Sequence, residues 1–199
     1  MGIRFGLIGA GRMGKVFANT LAYSVAEADL VAVADPDAAT LDEVASRYGI
    51  PAHYTEYQEL LARKDIEAVV VASPTGTHAE VITAAAQAGK QLFSEKPLSQ
   101  DLKACDLALA AVKKAGVKLQ MGFMRRHDAP YADAKRKILD GVIGQPGMFK
   151  ATSRDPKRTS LDFARREHSG GMIMDMGVHD FDLSRWLMGS EVTRVFSEG

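Results

Sequence analysis

The chain has 199 residues, 46% hydrophobic and 25% charged, enough for a proper buried core and ordinary for a globular protein. Its 25 basic and 25 acidic side chains cancel, so no nucleic-acid surface is expected. The basic runs at 125–127, 157–158 and 165–166 are too short and scattered to make one. A lone cysteine, Cys105, excludes a disulfide framework and suits a reducing compartment.

The opening MGIRFGLIGAG has too short an apolar run for a signal peptide or a membrane span. Gly6, where a myristoylation signal wants Ser or Thr, argues against a lipid anchor. A cytoplasmic protein with no membrane partner is expected.

Residues 3–9 form a buried-strand pattern, followed by a helix to about Ala28. LVAVAD (30–35) is a short β-branched run ending in an acid. DAATLDEVASRYG (37–49) reads as a helix with Asp37 as N-cap and Gly49 as its stop. YQELLARKD is a shorter helix. EAVVVAS (67–73) is almost wholly apolar, as a parallel strand covered on both faces should be. Helix (78–89), strand (90–95), helix (99–116) and strand (117–123) follow. This alternation specifies a parallel α/β sheet.

After Phe123 the rhythm changes. A helix near 129–141 precedes a strand-like GMFKATSRD (147–155), a polar loop, a helix entered through two glycines (170–186), and a last strand-like VTRVFSEG. The reading is two domains, 1–122 and 123–199, the second being the first part of an α+β open-sheet substrate domain.

GAGRMG places Gly9, Gly11 and Gly14 at the G-x-G-x-x-G spacing, between a strand and a helix. That context makes the motif informative and points to a Rossmann dinucleotide-binding domain. A pyrophosphate would rest on the helix start, at Gly11, Arg12, Met13 and Gly14. A ribose-reading acid is expected about 20 residues on, and Asp35 stands there. A carboxylate repels a 2′-phosphate, so the expected cofactor is NAD rather than NADP. A methyltransferase with a related glycine loop is the competing class.

Lys96, in SEKPLS, lies beyond the carboxyl end of the fifth strand, where open α/β sheets place ligands. Asp175 and His179 stand four apart and share a helix face. On the residues alone they are either a hydrogen-bonded pair at a helix start or a chemical site.

GAGRMG, the acid after VAVA, SPTGTHAE, SEKPLS, GFMRRHD and GGMIMDMGVHDFDLSRWLMG occur in that order. Together they resemble the Gfo/Idh/MocA oxidoreductases, especially their inositol 2-dehydrogenase branch, over essentially the whole chain. The resemblance implies NAD-dependent oxidation of a secondary alcohol of a cyclic polyol or sugar, with myo-inositol foremost. It implies a catalytic triad of Lys96, Asp175 and His179, which would also touch the substrate. Ser73, Thr75 and Glu95 would lie along the nicotinamide half of the cofactor. His78 is either a further contact there or a helix-start residue bonded locally. Arg126 would approach the polyol, although His127 departs from the aromatic common in the family. His53 and His168 have no partners at metal-ligand spacing, and Asp180 and Asp182 read as structural or substrate-adjacent, so no metal is expected.

Family members continue well past residue 199, so the chain reads as a fragment or a shortened relative. A homo-oligomer is expected of the full-length protein. Two functions are open at this point, a polyol dehydrogenase or a non-catalytic dinucleotide-binding protein. The unpaired strands at 147–155 and 191–199 are expected to promote self-association of the short chain.

Overall fold

The computed structural model describes residues 2–154, 160, 165 and 169–198. The basic pair 157–158 and His168 lie outside the described residues. The chain divides into two compact units, Met1–Gly122 and Phe123–Gly199.

The first unit is a six-stranded sheet, every pairing parallel, in the order β3-β2-β1-β4-β5-β6. Its strands are β1 (Ile3–Ile8), β2 (Ala28–Ala34), β3 (Ala52–Tyr54), β4 (Ala68–Val71), β5 (Gln91–Ser94) and β6 (Leu119–Met121). The helices between them are α1 (Arg12–Tyr23), α2 (Ala38–Tyr48), α3 (Tyr57–Ala62), α4 (His78–Gln87) and α5 (Leu102–Ala115).

Both faces of the sheet are covered, and β4 shows why its sequence, Ala-Val-Val-Val, is apolar throughout. Val69 and Val71 enter one core with Leu60, Val81, Ile82 and Leu92; Val70 enters the other with Leu7, Leu21, Val33 and Val44. Each such side chain contributes about 1.5–3 kcal/mol by leaving water. Helix limits follow local chemistry. Asp37 and Asp101 cap α2 and α5 by accepting from backbone amides, and Gly49 and Gly116 end the same helices at φ 64° and 69°.

One boundary and one element depart most from the sequence expectation. The first helix stops at Tyr23 rather than near Ala28, because Ala28 N–H turns back to the Val25 carbonyl and begins β2. The short strand β3 carries no readable period, yet it pairs with Ala32–Ala34 and edges the sheet.

The second unit begins with a 3₁₀ turn (Met124–His127) and α6 (Ala129–Leu139). A π-helical turn (Ile173–Gly177) leads directly into α7 (Val178–Met188). The strand-like segments at 147–154 and 192–198 pair with nothing among the described residues. A strand is defined by its neighbour, and an alternating pattern supplies none. No helix among the described residues is long and apolar enough to cross a membrane.

Candidate functional site

The strand order reverses between β1 and β4, and in such sheets the ligand crevice lies beyond the carboxyl ends at the reversal. The loop after β1 is built so that only glycine serves at two of its positions. Gly9 has φ +97°, and a Cβ there would sit 2.5 Å from Ala72 C and Ser73 N. A Cβ on Gly14 would overlap the Gly9 carbonyl oxygen, so α1 packs directly on the loop. Gly11 differs, since a Cβ there would meet nothing within 4 Å. Protein packing does not require that glycine. The open space in front of it, at the start of α1, fits a pyrophosphate carried against backbone N–H groups. Arg12 flanks this space from the exposed side and Met13 is half-buried.

Asp35 follows β2 and is half-buried. Its Oδ2 accepts from Ala10 N–H at 2.6 Å and its Oδ1 from Asp37 N–H at 2.9 Å. The sequence motif does not foretell this tie between the acid and the glycine loop. It fixes the carboxylate beside the cradle, and a carboxylate with about four lone-pair sites still has acceptor capacity for ribose hydroxyls. Asp37 lies next to it, its carboxyl held below the usual value by the Thr40 hydroxyl and the first amides of α2. Two acids and no base follow β2, an arrangement hostile to a 2′-phosphate.

The loop after β4 is a 3₁₀ turn, Thr75–Thr77, closed by the Thr77 hydroxyl on the Pro74 carbonyl and by a 2.8 Å contact between the Ser73 and Thr77 hydroxyls. Thr75 is half-buried on it. His78 does not face outward as a cofactor contact would. It is 2% exposed and both ring nitrogens meet backbone carbonyls, one of them nearby (Ser73) and one 19 residues on (Pro97), so neither the cofactor contact nor a purely local bond describes it.

After β5, Glu95 hangs from the sheet by its N–H on the Val71 carbonyl, and its Oε2 accepts from Lys96 N–H at 3.1 Å. Burial pushes the Glu95 carboxyl up, opposed by the Lys96 amide and the charges of Lys96, His78 and Arg12. Lys96 is half-buried and joined to Pro97 by a cis peptide bond. Parallel pairing puts Gly9–Gly14, Asp35, Ser73–Thr75 and Glu95–Lys96 at the carboxyl-terminal end of one sheet.

In the second unit, Gly170 and Gly171 take φ +79° and +77° and turn the chain into the π turn. Asp175 lies within that turn and His179 in the first turn of α7, both half-buried. The stretch is therefore not one regular helix as its pattern suggests. A π turn within a helix is rare and recurs at functional sites.

Arg125 and Arg126 each meet an acid of α7. Arg126 grips Asp182 with two bonds, Nε to Oδ2 at 2.8 Å and Nη2 to Oδ1 at 2.5 Å. Arg125 Nη1 donates to Asp180 Oδ1 at 2.5 Å, and Ser153 Oγ donates to Asp180 Oδ2 at 2.7 Å. The expected substrate arginine thus already holds a carboxylate of its own chain. Asp180 and Asp182 are structural partners of arginines, and among the described residues no His, Cys, Asp and Glu cluster could hold a metal. A polar cavity of about 370 Å³ borders this network, lined by Arg125, Tyr131, Phe149, Ser153, Asp180 and Leu183. These ion pairs are what sequence reasoning missed. Their partners are 55 and 56 residues apart, with no local signal.

Comparison with known proteins places these features. Residues 3–123 match the family described as "Oxidoreductase family, NAD-binding Rossmann fold", and residues 131–199 match the "GFO/IDH/MocA C-terminal domain". The chain is 42% identical over 197 residues to scyllo-inositol 2-dehydrogenase (NAD(+)) of Bacillus subtilis, covering 99% of this chain and 57% of that protein. It is 40% identical over 197 residues to myo-inositol 2-dehydrogenase of Thermotoga maritima, covering 99% of this chain and 58% of that one. The crystal structure of scyllo-inositol dehydrogenase from Lactobacillus casei with bound NAD(H) and scyllo-inositol matches with a TM-score of 0.82 at 32% identity, covering 95% of this chain and 57% of that one. The chain thus spans a little over half the length of these relatives. It belongs to the Gfo/Idh/MocA oxidoreductase family, with the family's NAD-binding Rossmann fold in its first unit.

Proposed function

We propose that the protein bearing this chain oxidises a secondary alcohol of a cyclic polyol, with myo-inositol the first candidate, and transfers the hydride to NAD. The observation that carries this reading is the carboxyl-terminal end of the sheet. The glycine cradle, Asp35, the Ser73–Thr77 turn and Lys96 share it, in a chain about 40% identical to inositol 2-dehydrogenases.

Bound NAD would supply the hydride acceptor. The cradle at Gly11–Gly14 would carry its pyrophosphate and Asp35 its adenosine ribose. Ser73, Thr75 and Glu95 would line the nicotinamide half. Lys96 would donate to the reacting oxygen and stabilise its developing negative charge. His179 would take the hydroxyl proton, a task suited to an imidazole because its ordinary pKa lies near neutrality. Asp175 would orient the His179 ring and favour its charged form. Arg126 would contribute to the polyol site from its fixed position on Asp182.

The test is NADH formation, followed by absorbance, with a panel of cyclic polyols and sugars and with NAD or NADP as acceptor. Polyol-dependent NADH is expected, with NADP used poorly, and Asp35→Ser should narrow that gap. Lys96→Ala should lower turnover by ~10²–10⁴-fold with little loss of NAD affinity. No turnover with any cyclic polyol, or equal use of both dinucleotides by the unaltered protein, would refute the reading.

A further inference from the structure

His78 is 2% exposed at the start of α4, and each ring nitrogen faces an acceptor. Nδ1 lies 2.7 Å from the Pro97 carbonyl oxygen and Nε2 2.8 Å from the Ser73 carbonyl oxygen. A carbonyl can only accept. A neutral imidazole has one N–H and one lone pair, so it can satisfy one of these oxygens and would press its lone pair against the other. Only the doubly protonated ring donates to both.

The two carbonyls belong to two different turns. Ser73 opens the turn after β4, and Pro97 follows Lys96 in the turn after β5.

We propose that His78 is a buried cationic clamp, a positioning residue that locks the Ser73–Thr77 turn to the Lys96–Pro97 turn and so fixes where Lys96 is presented. The role of the clamp in the reaction rests on Lys96 being the partner of the reacting oxygen, as proposed above. The clamp itself rests only on the ring and its two acceptors. Bonds donated by a charged ring are about twice as strong as neutral ones, so one side chain suffices to hold two loops that make no ladder with each other.

The direct test is ¹⁵N NMR of the histidine rings in the labelled 199-residue chain at neutral pH, with the His78 signals identified by their loss in His78→Gln. Both ring nitrogens of His78 should carry protons, with and without NAD. A ring with one bare nitrogen overturns the proposal. Amide exchange gives a second readout, in His78→Gln and His78→Leu. Exchange at 75–77 and at Lys96 should quicken by about tenfold or more, as expected for losing a charge-assisted bond, while β1 and β2 amides hardly change. Unchanged exchange at both turns would also overturn it. Should His78→Leu fail to fold, the ring measurement on the unaltered chain decides alone. A bare nitrogen in an enzyme that oxidises polyols would refute the clamp and leave the dehydrogenase reading standing. A protonated ring in a protein inert to all polyols would do the reverse.

Discussion

Each unit is held in shape by a different kind of force. All the buried apolar side chains among the described residues lie in the first unit except Leu183 and Leu187. There the sheet is packed on both faces, and its cohesion comes from the non-directional loss of apolar surface from water. In the second unit, directed contacts take over. Arg125 and Arg126 hold Asp180 and Asp182, and Lys135 Nζ donates to the Trp186 carbonyl at 2.6 Å near the end of α7. A hydrophobic core has no charges for salt to screen or acid to neutralise, whereas an ion-pair latch responds to both. The same chain therefore carries a cofactor unit that is robust and a second unit whose geometry depends on charge.

The largest effect should come from the core. Leu60 is fully buried and fills the space over Gly6, where a Cβ would come within 2.6 Å of its Cδ2. Leu60→Ala should cost about 2–5 kcal/mol, seen as a lower Tm at any salt concentration. A salt-dependent loss would break the contrast between the units.

A smaller effect is expected from Asp182→Ala. Asp182 is 7% exposed, but its partner Arg126 is 38% exposed and can take up water when released. The cost is therefore nearer ~1–2 kcal/mol than that of a wholly buried pair. It should appear in the fluorescence of Trp186, the only tryptophan, and spare the first unit's circular dichroism. Simultaneous loss of both signals would show that the units do not differ as described.

The mildest effect should follow acidification. Burial alone would raise the Asp180 carboxyl, but bonds from Ser153 and Arg125 outweigh it and hold it below the ordinary 3.8. Its folded value is depressed, so its contribution is complete above the ordinary carboxylate range and is lost as pH falls through the lowered value. Trp186 fluorescence should shift below about pH 4, sooner in high salt. Asp180→Asn should flatten that profile, and an unaltered profile would remove Asp180 as its source.

The same contrast explains what could be read from the sequence. Val69, Val70 and Val71 announce a doubly covered strand because burial on both faces leaves its mark on every residue. Asp37 and Gly49 mark the ends of α2 because capping is local. The glycine spacing and Asp35 are visible because one short loop must do several things at once. His78 was ambiguous because its partners, Ser73 and Pro97, are backbone carbonyls and leave no signature of their own. The π turn around Asp175 escaped because its side-chain pattern is still that of an ordinary helix. Arg125–Asp180 and Arg126–Asp182 escaped because long-range charge pairing has no period. The segments at 147–154 and 192–198 look like strands but lack a described neighbour, and composition cannot report that.

The most direct test of the functional account is steady-state NADH production from myo-inositol and NAD by the protein bearing this chain, compared with its His179→Ala variant. The account predicts robust polyol-dependent NADH in the unaltered protein. In the variant it predicts a fall of ~10²–10⁴-fold, with NAD affinity by calorimetry nearly unchanged. Near-normal turnover in His179→Ala would contradict it.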